Sequence, residues 1–155
     1  MRRATKIKKH SIPDYQYKDP LVGKFINYIM RQGKKSVAQK VVYKSFDIIK
    51  EKTKSNPLQI FEKAIRNVSP ALEVRSKRVG GANYQVPQPV RAERKIQLTF
   101  RWIIKAANSK KGKPMSAKLA DEFILAANNE GAAIKKKIDT HRMAESNRAF
   151  AHFSW

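Results

Sequence analysis

The chain has 155 residues, 34 Lys and Arg against 12 Asp and Glu, a formal net charge of +22, and no cysteine. The length suits one domain with a sizeable buried core, and a hydrophobic content of 41% excludes a disordered polybasic tail. Without cysteine there are no disulfides and no thiolate zinc sites. A compact chain with this charge excess repels itself and calls for a polyanion, of which nucleic acid is the abundant one. No apolar stretch of signal-peptide length follows Met1-Arg2-Arg3, and no run approaches the roughly 20 residues of a membrane span. A soluble protein of the cytoplasm or an organelle interior is expected, with no membrane partner.

Residues 1–18 carry Arg2, Arg3, Lys6, Lys8, Lys9 and Lys18 against one acid, Asp14. They read as an extended basic arm that orders on a partner, or as a solvated tail. Asp19-Pro20 is an N-cap followed by proline at the first helical position. Leu21, Phe25 and Ile29 follow at spacing four, with Val22 and Ile26 beside them, up to a stop at Gly33. A second helix over about 36–52 places Val37/Ala38, Val41/Val42, Ser45/Phe46 and Ile48/Ile49 on one face. Asn56-Pro57 repeats the cap signal for a third, carried by Leu58, Phe61, Ile65 and Val68 and ended at Ser69-Pro70.

At residue 72 the period changes to two. Leu72 and Val74 alternate with Glu73, Arg75 and Lys77, and beyond Gly80-Gly81 Tyr84 and Val86 alternate with Gln85. This predicts a β-hairpin over 72–88. Two strands alone do not make a stable sheet in water, so the hairpin must lie on the helices or on a partner. A fourth helix over about 91–107 presents Ile96, Phe100 (or Thr99), Ile103 and Ala107 inward. A basic loop, 108–114, precedes a fifth helix over about 116–129 with Ser116 as N-cap and Leu119, Phe123 and Ala126/Ala127 inward. Gly131 separates it from a sixth, over about 132–148, carrying Ile134 and Ile138 and followed by Phe150, Phe153 and Trp155. The fold class expected is mainly α: a single domain over 1–155, a bundle of about six helices with one protruding two-stranded β-hairpin.

His10, His141 and His152 are scattered, with no nucleophile or acid at a usable spacing. Asp121-Glu122 point about 100° apart on a helix, so they form no paired-carboxylate site and read as a solvated face. No phosphate-binding loop, dinucleotide pattern or metal-ligand cluster is present in the sequence. An enzyme is the least supported class, and no cofactor or metal is expected.

Arg91, Arg94, Lys95, Arg101 and Lys105 share one broad face of the fourth helix, with Trp102 among them. An aromatic beside guanidinium groups can stack on an unpaired base, or it can simply be core. Arg75, Lys77 and Arg78 climb one strand to the glycine tip, where backbone can approach another backbone closely. Lys135-Lys136-Lys137 is a third cluster, although such a charge run on a helix is more often only a solvated face.

Several stretches resemble the bacterial-type small-subunit ribosomal protein seven family. They are Asp19-Pro20-Leu21-Val22 with Lys24-Phe25-Ile26-Asn27, Gly33-Lys34-Lys35-Ser36, and Asn56-Pro57-Leu58. The most specific are Glu73 through Pro87, Arg101-Trp102, and His141-Arg142-Met143-Ala144-Glu145 running on through His152. The matches span the chain in order, although residues 4–18 match poorly and Ser146 stands where alanine is common. The resemblance implies a structural constituent of the small subunit that binds the three-prime major (head) domain of its rRNA and nucleates head assembly. The residues then expected on rRNA are Arg2, Arg3, Lys6, Lys8, Lys9, Lys24, Arg31, Lys34, Lys35, Arg75, Lys77, Arg91, Arg94, Lys95, Arg101, Trp102, Lys110, Lys113, Lys136 and Arg142. The hairpin tip, Arg78, Val79, Gly80, Gly81, Ala82, Asn83 and Tyr84, is expected near exit-site tRNA and mRNA. Proteins nine and eleven of the small subunit are the implied protein neighbours.

Two other readings compete. An architectural DNA-binding protein can also carry a basic ribbon, but Val79, Gly80, Gly81 and Ala82 make a poor intercalating wedge. An enzyme acting on RNA lacks a catalytic constellation.

Overall fold

The computed structural model describes residues 12–153. The described residues fall into two compact units, 12–40 and 41–153. The expectations for Arg2, Arg3, Lys6, Lys8, Lys9, His10 and Trp155 fall outside the described residues.

In the first unit, Asp14 is almost fully buried and organises a turn. Its carboxylate accepts from the Gln16 and Tyr17 backbone N–H groups at 3.1 Å each, and its carbonyl accepts from Lys18 N at 2.9 Å. Residues 14–18 are therefore a closed turn where an extended arm was expected. A Cβ on Gly23 would lie 2.6 Å from the Ile12 carbonyl oxygen, so residues 12–14 lie directly on the following helix and position 23 admits no side chain. That helix, α1 (Pro20–Ile29), starts as the sequence dictates: Asp19 Oδ1 accepts from Leu21 N and Val22 N, and Pro20 takes N1. Val22, Phe25 and Ile26 are its buried stripe. It ends at Ile29, earlier than Gly33, because the backbone leaves helical geometry at Met30. Gly33, at φ +72°, instead serves the turn that leads into α2 (Lys35–Thr53).

The second unit holds most of α2 and the remaining elements: α3 (Pro57–Val68), β1 (Leu72–Val79), β2 (Ala82–Pro89), α4 (Ala92–Ser109), α5 (Met115–Ala127), α6 (Ala132–Ser146) and a C-terminal 3-10 helix (Arg148–Phe153). The chain is thus mainly helical with one antiparallel hairpin. Phe46, Phe61 and Phe123, all fully buried, are the centre of the core. Phe61 meets Phe46 and Phe123 edge-on at centroid distances of 5.5 and 5.3 Å. Such pairs add about 0.5–1.5 kcal/mol each beyond area burial. Thr99 and Ser45 are buried polar exceptions, satisfied by donating to the Lys95 and Val42 carbonyls. Asn67 of α3 donates to the Ala126 and Ala127 carbonyls at 3.0 Å, closing the C-terminus of α5.

Three expectations about faces change. α5 starts at Met115 after Pro114, so Ser116 is buried inside the first turn and is not the N-cap. Ile138 is 54% exposed, because Ile134 and Ala144 carry the inner face of α6. Val37 likewise faces solvent while Ala38 is buried.

The hairpin turns at Gly80-Gly81 with φ of +57° and +90°, the two positive values a two-residue type I′ turn demands. Its register pairs Glu73 with Gln88, Arg75 with Val86 and Lys77 with Tyr84, and partners directly opposite share a face. Val86 is fully buried, and Tyr84 packs on Phe150 and Phe153 at 5.2 and 5.1 Å. On β1 it is therefore Glu73 and Lys77 that turn toward the body, while Leu72 is 38% exposed and Arg75 on the same side keeps its side chain 59% exposed. The inward charges are satisfied: Lys77 Nζ donates to the Phe153 carbonyl at 3.1 Å, and Glu73 takes two arginines. The two strands rest on α6 and the C-terminal 3-10 helix, as an isolated hairpin must.

Candidate nucleic-acid interface

Within the second unit, α4 and its N-cap carry a broad basic face. Arg91, Arg101 and Lys105 are exposed, Arg94 and Lys95 partly so, and Phe100, Ile103 and Ala107 are buried on the far side. Trp102 is half-buried among the cations, neither core nor free platform. The helix begins without a side-chain cap but has Glu93 in its first turn, which suits the positive end of the dipole.

Next to it lies the hairpin base. Glu73 is 8% exposed. Its Oε1 accepts from Arg75 Nε at 2.9 Å and from Arg75 Nη2, and its Oε2 from Arg94 Nε at 3.2 Å. Arg94 Nη1 donates to Gln97 Oε1 at 2.7 Å. Burial pushes the Glu73 carboxyl up, but the two guanidiniums outweigh it and hold it below the usual carboxylate range. A joined Arg75–Glu73–Arg94 group was not read from the sequence. The available signal was Glu73 two residues before Arg75, on the same strand face.

Two lysines of the exposed α4–α5 connection pair with acids of α5. Lys110 Nζ sits 2.7 Å from Oε2 of Glu122, whose side chain is fully buried, and Lys113 Nζ sits 3.1 Å from Asp121 Oδ2. Glu122 Oε1 accepts from Ala133 N at 3.0 Å. Gly131 at the start of α6 has no side chain to cap with, so Glu122 caps α6 from α5. A Cβ on Gly131 would lie 2.9 Å from that oxygen, and its φ of +95° favours glycine as well. Asp121 pairs with Lys52 and Lys113, and the Lys52 hydrogen bond leads in lowering its pKa against burial. The reading of Asp121-Glu122 as a solvated face is thus corrected: one is a partly buried ion pair, the other a buried helix cap.

Of the candidate rRNA contacts, then, Arg75, Lys77, Arg94, Lys110 and Lys113 have partners inside the protein. Arg91, Arg101, Lys136 and Arg142 are exposed, the last two about 120° apart around α6. Lys137 donates to the Asn67 carbonyl at 2.6 Å, so the lysine run is only partly solvated. At the tip, Arg78, Gly80, Gly81, Ala82 and Asn83 are exposed and Val79 partly so, whereas Tyr84 is held by Phe150 and Phe153. In the first unit, Arg31, Lys34 and Lys35 are exposed around one turn, and Lys24 is half-buried on α1.

His141 joins α6 to the hairpin base: its Nε2 accepts from Ala71 N at 3.0 Å, which requires the proton on Nδ1. Burial and then the Lys137 charge lower its pKa from 6.5. The unfolded chain therefore takes up this proton first as pH falls. The stability tied to neutral His141 is complete above about pH 7 and is lost as pH falls below 6.5. The thermal midpoint of the wild type should fall more than that of His141→Gln between pH 7.5 and 5.5, on the order of a pH unit either side of the imidazole value. Parallel curves would remove His141 from the account.

Among the described residues, no group of three or more His, Asp or Glu could hold a metal, and no helix is long and apolar enough to cross a membrane. The profile of the family described as ribosomal protein S7p/S5e matches residues 1–148. The small ribosomal subunit protein uS7 of Thermotoga maritima is 58% identical over 155 residues, all of this chain and all of that protein. Those of Desulfatibacillum aliphaticivorans and Methylobacterium nodulans are 55% and 53% identical over 154 residues, 99% of each chain.

Proposed function

The chain belongs to the ribosomal protein S7p/S5e family, and from that membership we propose that it works as a non-enzymatic rRNA-binding constituent of the ribosome's small subunit. The observation that carries the reading of its surface is the α4 face, where Arg91, Arg101 and Lys105 stand exposed above an apolar inner side. Cations at that density are stabilised by phosphates, and each neutralised phosphate releases counterions. Docking is electrostatic and shape-based, with few base-specific contacts. The RNA is the three-prime major, head-forming domain, which the chain binds early enough to nucleate folding of the head. The whole chain acts as one rRNA-binding protein in the cytoplasm. Its exposed tip, from Arg78 to Asn83, lies towards exit-site tRNA and mRNA, and proteins nine and eleven of the small subunit are its neighbours.

The test is binding of the purified protein to a head-domain rRNA fragment over a salt series, with duplex DNA as competitor. The proposal expects affinity that falls steeply with salt yet survives DNA at physiological salt. Displacement by equimolar DNA would instead favour an architectural DNA-binding protein. Removing Val79 to Ala82 should leave this binding nearly intact while lowering reading-frame fidelity in assembled subunits. If the deletion instead abolishes rRNA binding, the tip and body surfaces are reversed.

A further inference from the structure

An acid inside a surface meant for RNA needs a reason. Glu73 is the acid at the hairpin base, its side chain 10% exposed, in a chain of net charge +22. By charge alone it should repel the phosphates that Arg75 and Arg94 attract. Yet it holds both: Arg75 through Nε and Nη2, Arg94 through Nε, with Gln97 holding Arg94 Nη1. These contacts take the Nε–Nη2 edge of Arg75, and they hold Arg94 from two sides, at Nε and at Nη1. They leave Arg75 Nη1 and Arg94 Nη2 for an outside acceptor, on side chains that are 59% and 36% exposed. Each guanidinium carries five donors in a rigid fork, so fixing one edge fixes the direction of the other.

We infer that Glu73 is a positioning residue that presents Arg75 and Arg94 together as one paired-guanidinium site for a phosphodiester of the rRNA. Without a shared carboxylate the two cations would repel each other, and each long side chain would be ordered only on binding. With it, that ordering is done by the fold. The carboxyl stays ionised at neutral pH because the two arginines outweigh its burial. The inference rests on the rRNA-binding reading and adds to it a site and a division of labour.

The sign of one substitution separates positioning from simple charge. Glu73→Gln raises the net charge by one and is almost isosteric. If charge alone mattered, it would tighten binding to the head-domain rRNA fragment. The positioning role predicts weaker binding, by about tenfold, the loss expected when two long side chains must be immobilised on association. The salt slope should stay close to wild type, because the phosphates contacted are the same. Arg94→Ala should lower that slope by roughly one unit. In the Arg75→Ala/Arg94→Ala background, Glu73→Gln should no longer weaken binding, an effect a merely structural carboxylate would not show. Circular dichroism and thermal melting identify variants that remain folded at the assay temperature. If Glu73→Gln does not fold, Glu73→Asp keeps the charge but retracts the carboxylate, and it too should bind more weakly. Equal or tighter binding by the folded variant, or the same loss without the arginines, overturns the inference. Failure of the wild-type protein itself to bind the fragment would overturn the rRNA reading instead.

Discussion

A loss of rRNA affinity on the order of a hundredfold at physiological salt is the expected result of replacing Arg91, Arg101 and Lys105 together by alanine, roughly 1 kcal/mol for each lost phosphate contact. These three are chosen because they are exposed on one face of α4. Arg94 is a less clean target, since its removal also frees Glu73 and Gln97. The slope of log affinity against log salt should flatten by about two to three units, one counterion-release contribution per contact. Folding should hardly change, because surface substitutions without partners usually cost less than about 0.5 kcal/mol each. An unchanged slope and affinity in the folded triple variant would mean that α4 does not face the RNA.

The second large effect is on stability. Glu122→Ala should destabilise the protein by about 3 kcal/mol, because it removes the cap from Ala133 N and leaves a cavity between α5 and α6 at a fully buried side chain. For a chain of this size that is a fall of roughly 6–12 °C in thermal midpoint. Glu122→Gln should cost clearly less. Its side-chain oxygen can still accept from Ala133 N, and Lys110, whose side chain is 31% exposed, can turn to water. A Gln variant as unstable as the Ala variant would show that the Lys110 ion pair, not the cap, is the main contribution. Neither change should alter the salt slope of rRNA binding, so the two predictions are separable in one set of variants.

Much of the fold was legible because its signals are local. Asp19-Pro20 and Asn56-Pro57 each supply a cap acceptor and a residue without an N–H, and both helices start there. Gly80-Gly81 supplies the two positive φ angles of the turn, and the hairpin register follows from it. The net charge of +22 pointed to a polyanion without any structure. The basic face of α4 was legible too, since helical geometry alone puts Arg91, Arg101 and Lys105 on one side.

Periodicity, however, says which residues share a face, not which face is covered. On β1 the alternation allowed either Leu72 with Val74 or Glu73 with Lys77 to turn inward. The second holds because Arg94 of α4 and the Phe153 carbonyl lie there to satisfy the charges. Ile138 and Ile134 read alike in the sequence, but only Ile134 is covered. Adjacent Asp121 and Glu122 looked equally solvated, and only the approach of Gly131 and Ala133 made one of them a buried cap. The same holds for the cations. Lys110, Lys113, Arg75 and Arg94 have partners two to twenty-one residues away, and a list of basic residues cannot show them. The sequence by itself determined where α1, α3 and the hairpin turn begin, the sign of the partner and the basic stripe of α4. Only the tertiary structure decided which charges are paired within the fold, because a buried charge is stable only where distant chain segments bring its counterion and hydrogen bonds.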